Sequence, residues 1–169
     1  LYGTLGELFG SDLERLTDYL GTVAEAASPY KVLIETPVIA KTQDAQIETF
    51  ITIRKLLKRK GIDIGIIADE WCNTLEDIKR FAAQGASDFV QIKTPDLGGI
   101  NNSIEAVLAC RRNGMGCCLG GTANETDKSA RITTNIALAT QPNFMLSKPG
   151  LGGDEAVMIQ TNEMARTLA

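Results

Sequence analysis

The sequence predicts an α/β fold built on a parallel sheet. Five short apolar runs, at 32–34, 64–68, 89–92, 115–119 and 144–146, are each followed by a polar or glycine-rich loop. Amphipathic stretches of helical length lie between them. Glycine stands just past three of those stretches, where a helix end accepts the left-handed conformation. Strands that alternate with helices imply parallel pairing, in a sheet either open or closed. On this alternation alone, a partial barrel and an open doubly wound sheet fit comparably.

The elements follow in order. A first helix is expected from Ser11, which stands three residues before Glu14 at capping-box spacing. The next covers 44–60, with Ile47, Phe50, Ile51, Ile53, Leu56 and Leu57 on its apolar side, and stops at Gly61. Residues 75–84 stop at Gly85 and residues 104–113 stop at Gly114. Asn73, Asn102 and Asn124 each precede an acid by three residues and are read as helix caps. A last helix is expected over 155–168. The five strands are placed near 32–35, 64–69, 89–93, 115–119 and 143–147.

Composition bounds the function. The chain has 169 residues, 44% hydrophobic and 22% charged, with net charge −4. That is ordinary for one globular domain or a large piece of one, and too apolar for a solvated coil. No apolar run reaches 18 residues, so no membrane span is expected. Lys and Arg do not cluster, which argues against a nucleic-acid partner. The chain contains no histidine, so Ser-His-Asp, Cys-His and His-metal sites are excluded within it. Cys72, Cys110, Cys117 and Cys118 form no C-x-x-C pair and read as buried, reduced thiols of a cytoplasmic protein. The start at Leu1 reads as an internal cut or processed end. No G-x-G-x-x-G follows the first strand and no P-loop motif occurs.

The chemistry-bearing residues sit at strand ends. Glu35 closes Val-Leu-Ile-Glu, Asp69 closes Ile-Ile-Ala-Asp, and Lys93 closes Val-Gln-Ile-Lys. A charge directly after a buried strand is costly unless it meets a polar cavity or a partner. In a parallel barrel these carboxyl ends form the active face. Side-chain alternation puts Gln91 on the same side as Lys93, with Leu33 below Glu35 and Ile67 below Asp69. Hard carboxylate oxygens suit Mg²⁺. A lysine beside such a cation loses proton affinity and can act as a base. Together they fit proton abstraction next to a carboxylate. Glu70 points away and reads as structural. Asp96 reads as a turn residue, and Trp71 as either lid or packing. Gly120-Gly121-Thr122 offers free amides to an anion or is a simple loop. Lys148-Pro149-Gly150 reads as a loop on the same face.

These residues are carried in strings that resemble the carboxy-terminal barrel of the methylaspartate ammonia-lyase family of the enolase superfamily. The strings are Ile34-Glu35-Thr36-Pro37, Ala68-Asp69-Glu70-Trp71-Cys72-Asn73-Thr74 and Gln91-Ile92-Lys93-Thr94-Pro95-Asp96-Leu97-Gly98-Gly99. Gly120-Gly121-Thr122-Ala123-Asn124-Glu125-Thr126, Lys148-Pro149-Gly150 and Asn162-Glu163-Met164 continue the resemblance along the whole chain. It implies a partial (β/α)8 TIM-type barrel with about five βα units. The amino-terminal capping domain and the first barrel strands would lie outside this chain.

The resemblance also implies a reaction: reversible loss of ammonia from 3-methylaspartate to give mesaconate, in glutamate degradation. Glu35 and Asp69 would be two of three Mg²⁺ ligands, and Lys93 the base. Gln91, Thr122 and Ala123 would contact the amino diacid substrate. A K⁺ ion is implied, as is a homodimer. The third metal ligand, an Asp, and a second acid/base, a His, would precede Leu1. Cys118, Leu119 and Ala123 stand where the family pattern has Tyr, Gln and Cys. A racemase, epimerase or dehydratase of another acid uses the same proton abstraction and stays an alternative. A non-catalytic barrel fragment or subunit is a second.

Overall fold

The computed structural model describes residues 3–10 and 12–169. Helices α1 (Thr4–Leu8) and α2 (Leu13–Ala27) precede the first strand. Then come β1 (Val32–Glu35), α3 (Gln43–Lys60), β2 (Ile64–Ala68), α4 (Leu75–Gln84), β3 (Phe89–Ile92) and α5 (Ile100–Arg112). The chain continues through β4 (Gly116–Leu119), α6 (Asp127–Thr140), β5 (Phe144–Met145) and α7 (Gly153–Leu168). The five strands pair in parallel in the order β1-β2-β3-β4-β5. They form a curled half-barrel, which decides between the two sheet arrangements left open by the pattern.

Alternation along each strand separates two faces. Ile34, Ile66, Ala68, Val90, Ile92, Cys117 and Leu119 are buried toward the helices. Phe50, Ile53 and Leu57 of α3 meet them, as do Ile78 and Phe81 of α4 and Val107 of α5. Phe50 and Phe81 pack edge to face with ring centroids 6.4 Å apart. All four cysteines are buried free thiols, as expected. Among the described residues no helix is long and apolar enough to cross a membrane.

The opposite face carries Leu33, Gly65, Phe89, Gly116 and Phe144. In register, Leu33 faces Gly65, Phe89 faces Gly116, and Cys118 faces Phe144. The Phe89 ring covers Gly116 so closely that a Cβ there would lie 2.3 Å from two ring carbons. Phe89 and Phe144 then meet at 5.9 Å between centroids. This is a large-on-small layer filling the bottom of the half-barrel.

The helix ends follow expectation at their stops and depart from it at their starts. Gly61 and Gly85 close α3 and α4 in the left-handed conformation, with φ of 70° and 57°. The expected cap Ser11 lies outside the described residues, and Asp12 caps α2 by accepting from the Arg15 amide. Thr74, not Asn73, caps α4, because its hydroxyl meets the Asp77 amide and Asp77 returns a bond to the Thr74 amide. Thr126, not Asn124, caps α6 through the same exchange with Ser129. Asn102 lies inside α5, which starts one turn early at Ile100, and its amide donates back to the Leu97 carbonyl at 2.8 Å.

The Phe89–Gly116 contact predicts the effect of a single methyl group. Gly116→Ala should lower stability by about 1–3 kcal/mol through overpacking. Thermal denaturation of the full-length protein checks this. An unchanged midpoint would mean the ring has room to move aside.

Candidate active site

Three charged side chains gather at the carboxyl ends of β1, β2 and β3. Glu35 is the last residue of β1, whereas Asp69 and Lys93 come directly after β2 and β3. Lys93 Nζ lies 2.5 Å from Asp69 Oδ1. Both side chains are largely withdrawn from solvent, with 17% and 5% exposed. Glu35, on the neighbouring strand, feels both. Burial, then the negative charge of Asp69, push its carboxyl above the usual value, while Lys93 and Gln91 pull the other way.

Lys93 sits among opposed influences. Burial works against its charge, but the Asp69 carboxylate outweighs burial and holds its pKa above the ordinary lysine value. Glu70 and Asp96 add to that field. The ammonium is thus the counter-ion of the acids here.

The backbone between the two acids is unusual. Thr36, fully buried, has φ +37°, a region β-branched residues rarely adopt. Its amide donates to the Ile67 carbonyl at 3.0 Å, and its hydroxyl accepts from the Asp69 amide at 3.2 Å. The chain turning away from Glu35 is thereby tied to the chain bearing Asp69. Such strain costs on the order of 1–3 kcal/mol and persists only where surrounding bonds impose it.

Gln91 lies one layer below Lys93 and is buried. It occupies the space over Gly120, where a Cβ would sit 2.0 Å from its Oε1. Cys118 is beside it in register and feels Glu35 and Asp69; burial first, then those acids, push its thiol up to about 12. Leu119, by contrast, is wholly buried in the helix-side core and is no pocket group. Thr122 is half-buried and Ala123 exposed, both in the loop after β4. The Thr122 hydroxyl accepts from the Asn124 amide at 3.0 Å, shaping that loop.

Reading the sequence for strand-end charges missed three residues here. Thr36 gave no signal, since its backbone angle is a product of the fold. Lys148 was read as part of a loop, yet it is completely buried, and its ammonium donates to the Gly120 carbonyl. Glu125 stood in the sequence only as part of the string 120–126, yet it is buried 3.8 Å from Lys148. The parity of Phe144, Leu146 and Lys148 was the available sign that Lys148 faces inward.

Two carboxylates on adjacent strands suit a hard divalent cation. Asp69 Oδ1 is buried and, apart from the Lys93 ion pair, has no hydrogen-bond donor, as an oxygen set aside for a cation would be. Among the described residues no third His, Cys, Asp or Glu completes a metal-binding group. These residues therefore fit part of a site for such a cation.

The half-barrel is shared widely. It superimposes on muconate lactonizing enzyme from Pseudomonas fluorescens with TM-score 0.58, over 75% of this chain and 30% of that one, at 19% identity. That likeness concerns the fold alone. The sequence profile "Methylaspartate ammonia-lyase C-terminus" matches residues 1–169, and the chain belongs to the methylaspartate ammonia-lyase family. It is 54% identical over 169 residues to methylaspartate ammonia-lyase 2 of Carboxydothermus hydrogenoformans, covering all of this chain and 41% of that protein. It is 48% identical to methylaspartate ammonia-lyase of Clostridium tetanomorphum, with the same coverage. The crystal structure of the magnesium complex of β-methylaspartase from Clostridium tetanomorphum matches with TM-score 0.93, over 99% of this chain and 40% of that one. The chain thus spans about two-fifths of the length of these relatives.

The electrostatics of Glu35 predict a trade. Its pKa is raised in the fold, so ionisation opposes folding. Metal-free stability should fall as pH rises from the usual carboxylate value of 4.5 through the raised one. Glu35→Gln should remove that slope and raise the metal-free thermal midpoint at neutral pH. Thermal scans between pH 4 and 8 would read it, and a lower midpoint for the variant at neutral pH would refute it.

Proposed function

We propose that this chain carries the base and two metal ligands of a magnesium-dependent ammonia-lyase that converts 3-methylaspartate reversibly to mesaconate. The convergence of Glu35, Asp69 and Lys93 at one mouth carries the reading. The activity named for its relatives, and the magnesium complex of one of them, support it.

Glu35 and Asp69 would hold the ion. Bound there, magnesium supplies positive charge to a substrate carboxylate and acidifies the adjacent C–H bond. With the charge of Asp69 met in this way, Lys93 loses the partner that retains its proton and can act as base. Lys93 takes the proton from the carbon next to that carboxylate. The electron pair of the broken C–H bond becomes the new carbon–carbon double bond, and the C–N bond breaks to release ammonia. Gln91, with Thr122 and Ala123 across the mouth, would contact the amino diacid and fix its orientation.

The remaining parts belong to the same proposal. The third acidic ligand, the second acid/base, a capping domain and the first barrel strands would come from protein outside this chain. K⁺, a homodimer, a cytoplasmic setting and a place in amino-acid degradation go with the family reading.

The test uses the full-length protein with 3-methylaspartate. Ammonia release supports the lyase, whereas turnover confined to hydroxy acids or epimerisation would favour the other enolase-type reactions. Lys93→Arg should cut exchange of the substrate proton with solvent by about a hundredfold or more, because arginine stays protonated. Its magnesium affinity should stay near that of the parent. Asp69→Asn should weaken magnesium binding instead. Near-normal exchange in Lys93→Arg would remove lysine as the base.

Residues 1–169 expressed alone should release no ammonia. β1 and β5 would be open edges, and the cation would keep only two of its acids. Turnover by a soluble monomer of this piece would overturn the need for outside strands.

A further inference from the structure

Lys148 and Glu125 are both completely buried, with side-chain exposure of 0% each, and neither has a role in the chemistry above. A charged pair taken out of water costs free energy that mutual attraction barely returns, so its presence calls for a reason other than stability. The pair spans two loops at the barrel mouth. Lys148 follows β5, and its Nζ donates to the Gly120 carbonyl and lies 3.8 Å from Glu125 Oε1. Glu125 ends the loop after β4 and accepts on Oε2 from the Ser129 hydroxyl. Its Oε1 is buried and has no hydrogen-bond donor, so Lys148 supplies its charge balance.

The two loops also touch through bare backbone. A Cβ at Gly150 would lie 2.6 Å from the Glu125 amide nitrogen and 2.7 Å from the Ala123 carbonyl oxygen. Gly120 is in turn the floor on which Gln91 lies. Residues 120–125 are therefore held from one side by Lys148, from the other by Ser129, and from above by Gly150. Thr122 and Ala123 sit inside that span.

We propose that the buried Lys148–Glu125 pair positions the loop of residues 120–125 for substrate binding. Lys148 and Glu125 are positioning residues and touch no reacting atom. They act through Thr122, Ala123 and the Gly120 backbone beneath Gln91. This rests on the lyase reading, in which that loop meets the amino diacid. Burial pulls the Lys148 proton affinity down, while the Glu125 carboxylate acts to retain the charge. Lys148 thus depends on the neighbouring Glu125 carboxylate to hold its charge.

Removing one charge would strand the other, so the decisive variant removes both. Lys148→Met with Glu125→Gln keeps similar volume, and such exchanges often leave stability near that of the parent. In the full-length protein, KM for 3-methylaspartate should rise about tenfold to a hundredfold, as loop misplacement does. kcat at saturation, its pH profile and magnesium affinity should stay near those of the parent, because Lys93, Glu35 and Asp69 are untouched. A folded double variant with parental KM would overturn the proposal, as would a fall in kcat with KM unchanged. Should the double variant not fold, Ser129→Ala loosens Glu125 alone, and a KM rise of a few-fold supports the proposal while parental KM overturns it. The parent is assayed first. If it releases no ammonia, the lyase reading fails by itself. Positioning is then read from amide hydrogen exchange of residues 120–125, faster in the double variant if the pair holds the loop and equal if it does not.

Discussion

Two acids on neighbouring strands repel each other, and much of the mouth of the half-barrel answers that repulsion. Glu35 is pushed toward its protonated form and Asp69 takes the Lys93 ammonium as counter-ion. The strained turn at Thr36 ties the chain leaving one acid to the amide of the other. A pair of carboxylates so placed is unfavourable in an empty site and favourable around a cation. The cost is borne by the apolar layers beneath, where the helix-side core is continuous from α2 to α6.

The inner face is graded by chemistry from bottom to top. Leu33, Phe89 and Phe144 fill its floor, with glycine opposite Leu33 and Phe89. Gln91 and Cys118 form a middle layer that is polar or polarizable. The charges stand above that, at the carboxyl ends. Each step toward the mouth trades packing energy for reactivity, and buried backbone such as Thr36 and Gly120 keeps the trade geometrically fixed.

Much of this could be read from the chain before any coordinates. The apolar runs placed the strands to within two residues, because a buried parallel strand must be apolar and three of the connecting helices stop at a glycine. Glu35, Asp69 and Lys93 stood out because charge directly after such a run needs a partner. The helix starts were less legible. Asn73 and Thr74 are both good caps, and only backbone angles decide that Thr74 faces the Asp77 amide. Lys148 and Glu125 were invisible as a pair, since they are far apart in sequence and their burial comes from the way two loops close on one another. The strain at Thr36 is likewise imposed by bonds to other strands, so residue type alone says nothing of it.

Spatial order in the sheet equals order along the chain. Each of β2 to β5 pairs with the strand synthesised just before it, across a single intervening helix. Among the described residues no pairing joins strands distant along the chain, so each of these loop closures is short and its entropy cost is limited. Growth of the sheet can therefore keep pace with translation, each new strand docking on an edge that already exists. Such a nascent sheet always offers one fresh edge at its carboxyl-terminal side. The two-residue strand β5 leaves that edge short, and a short edge gives stray chains little to pair with.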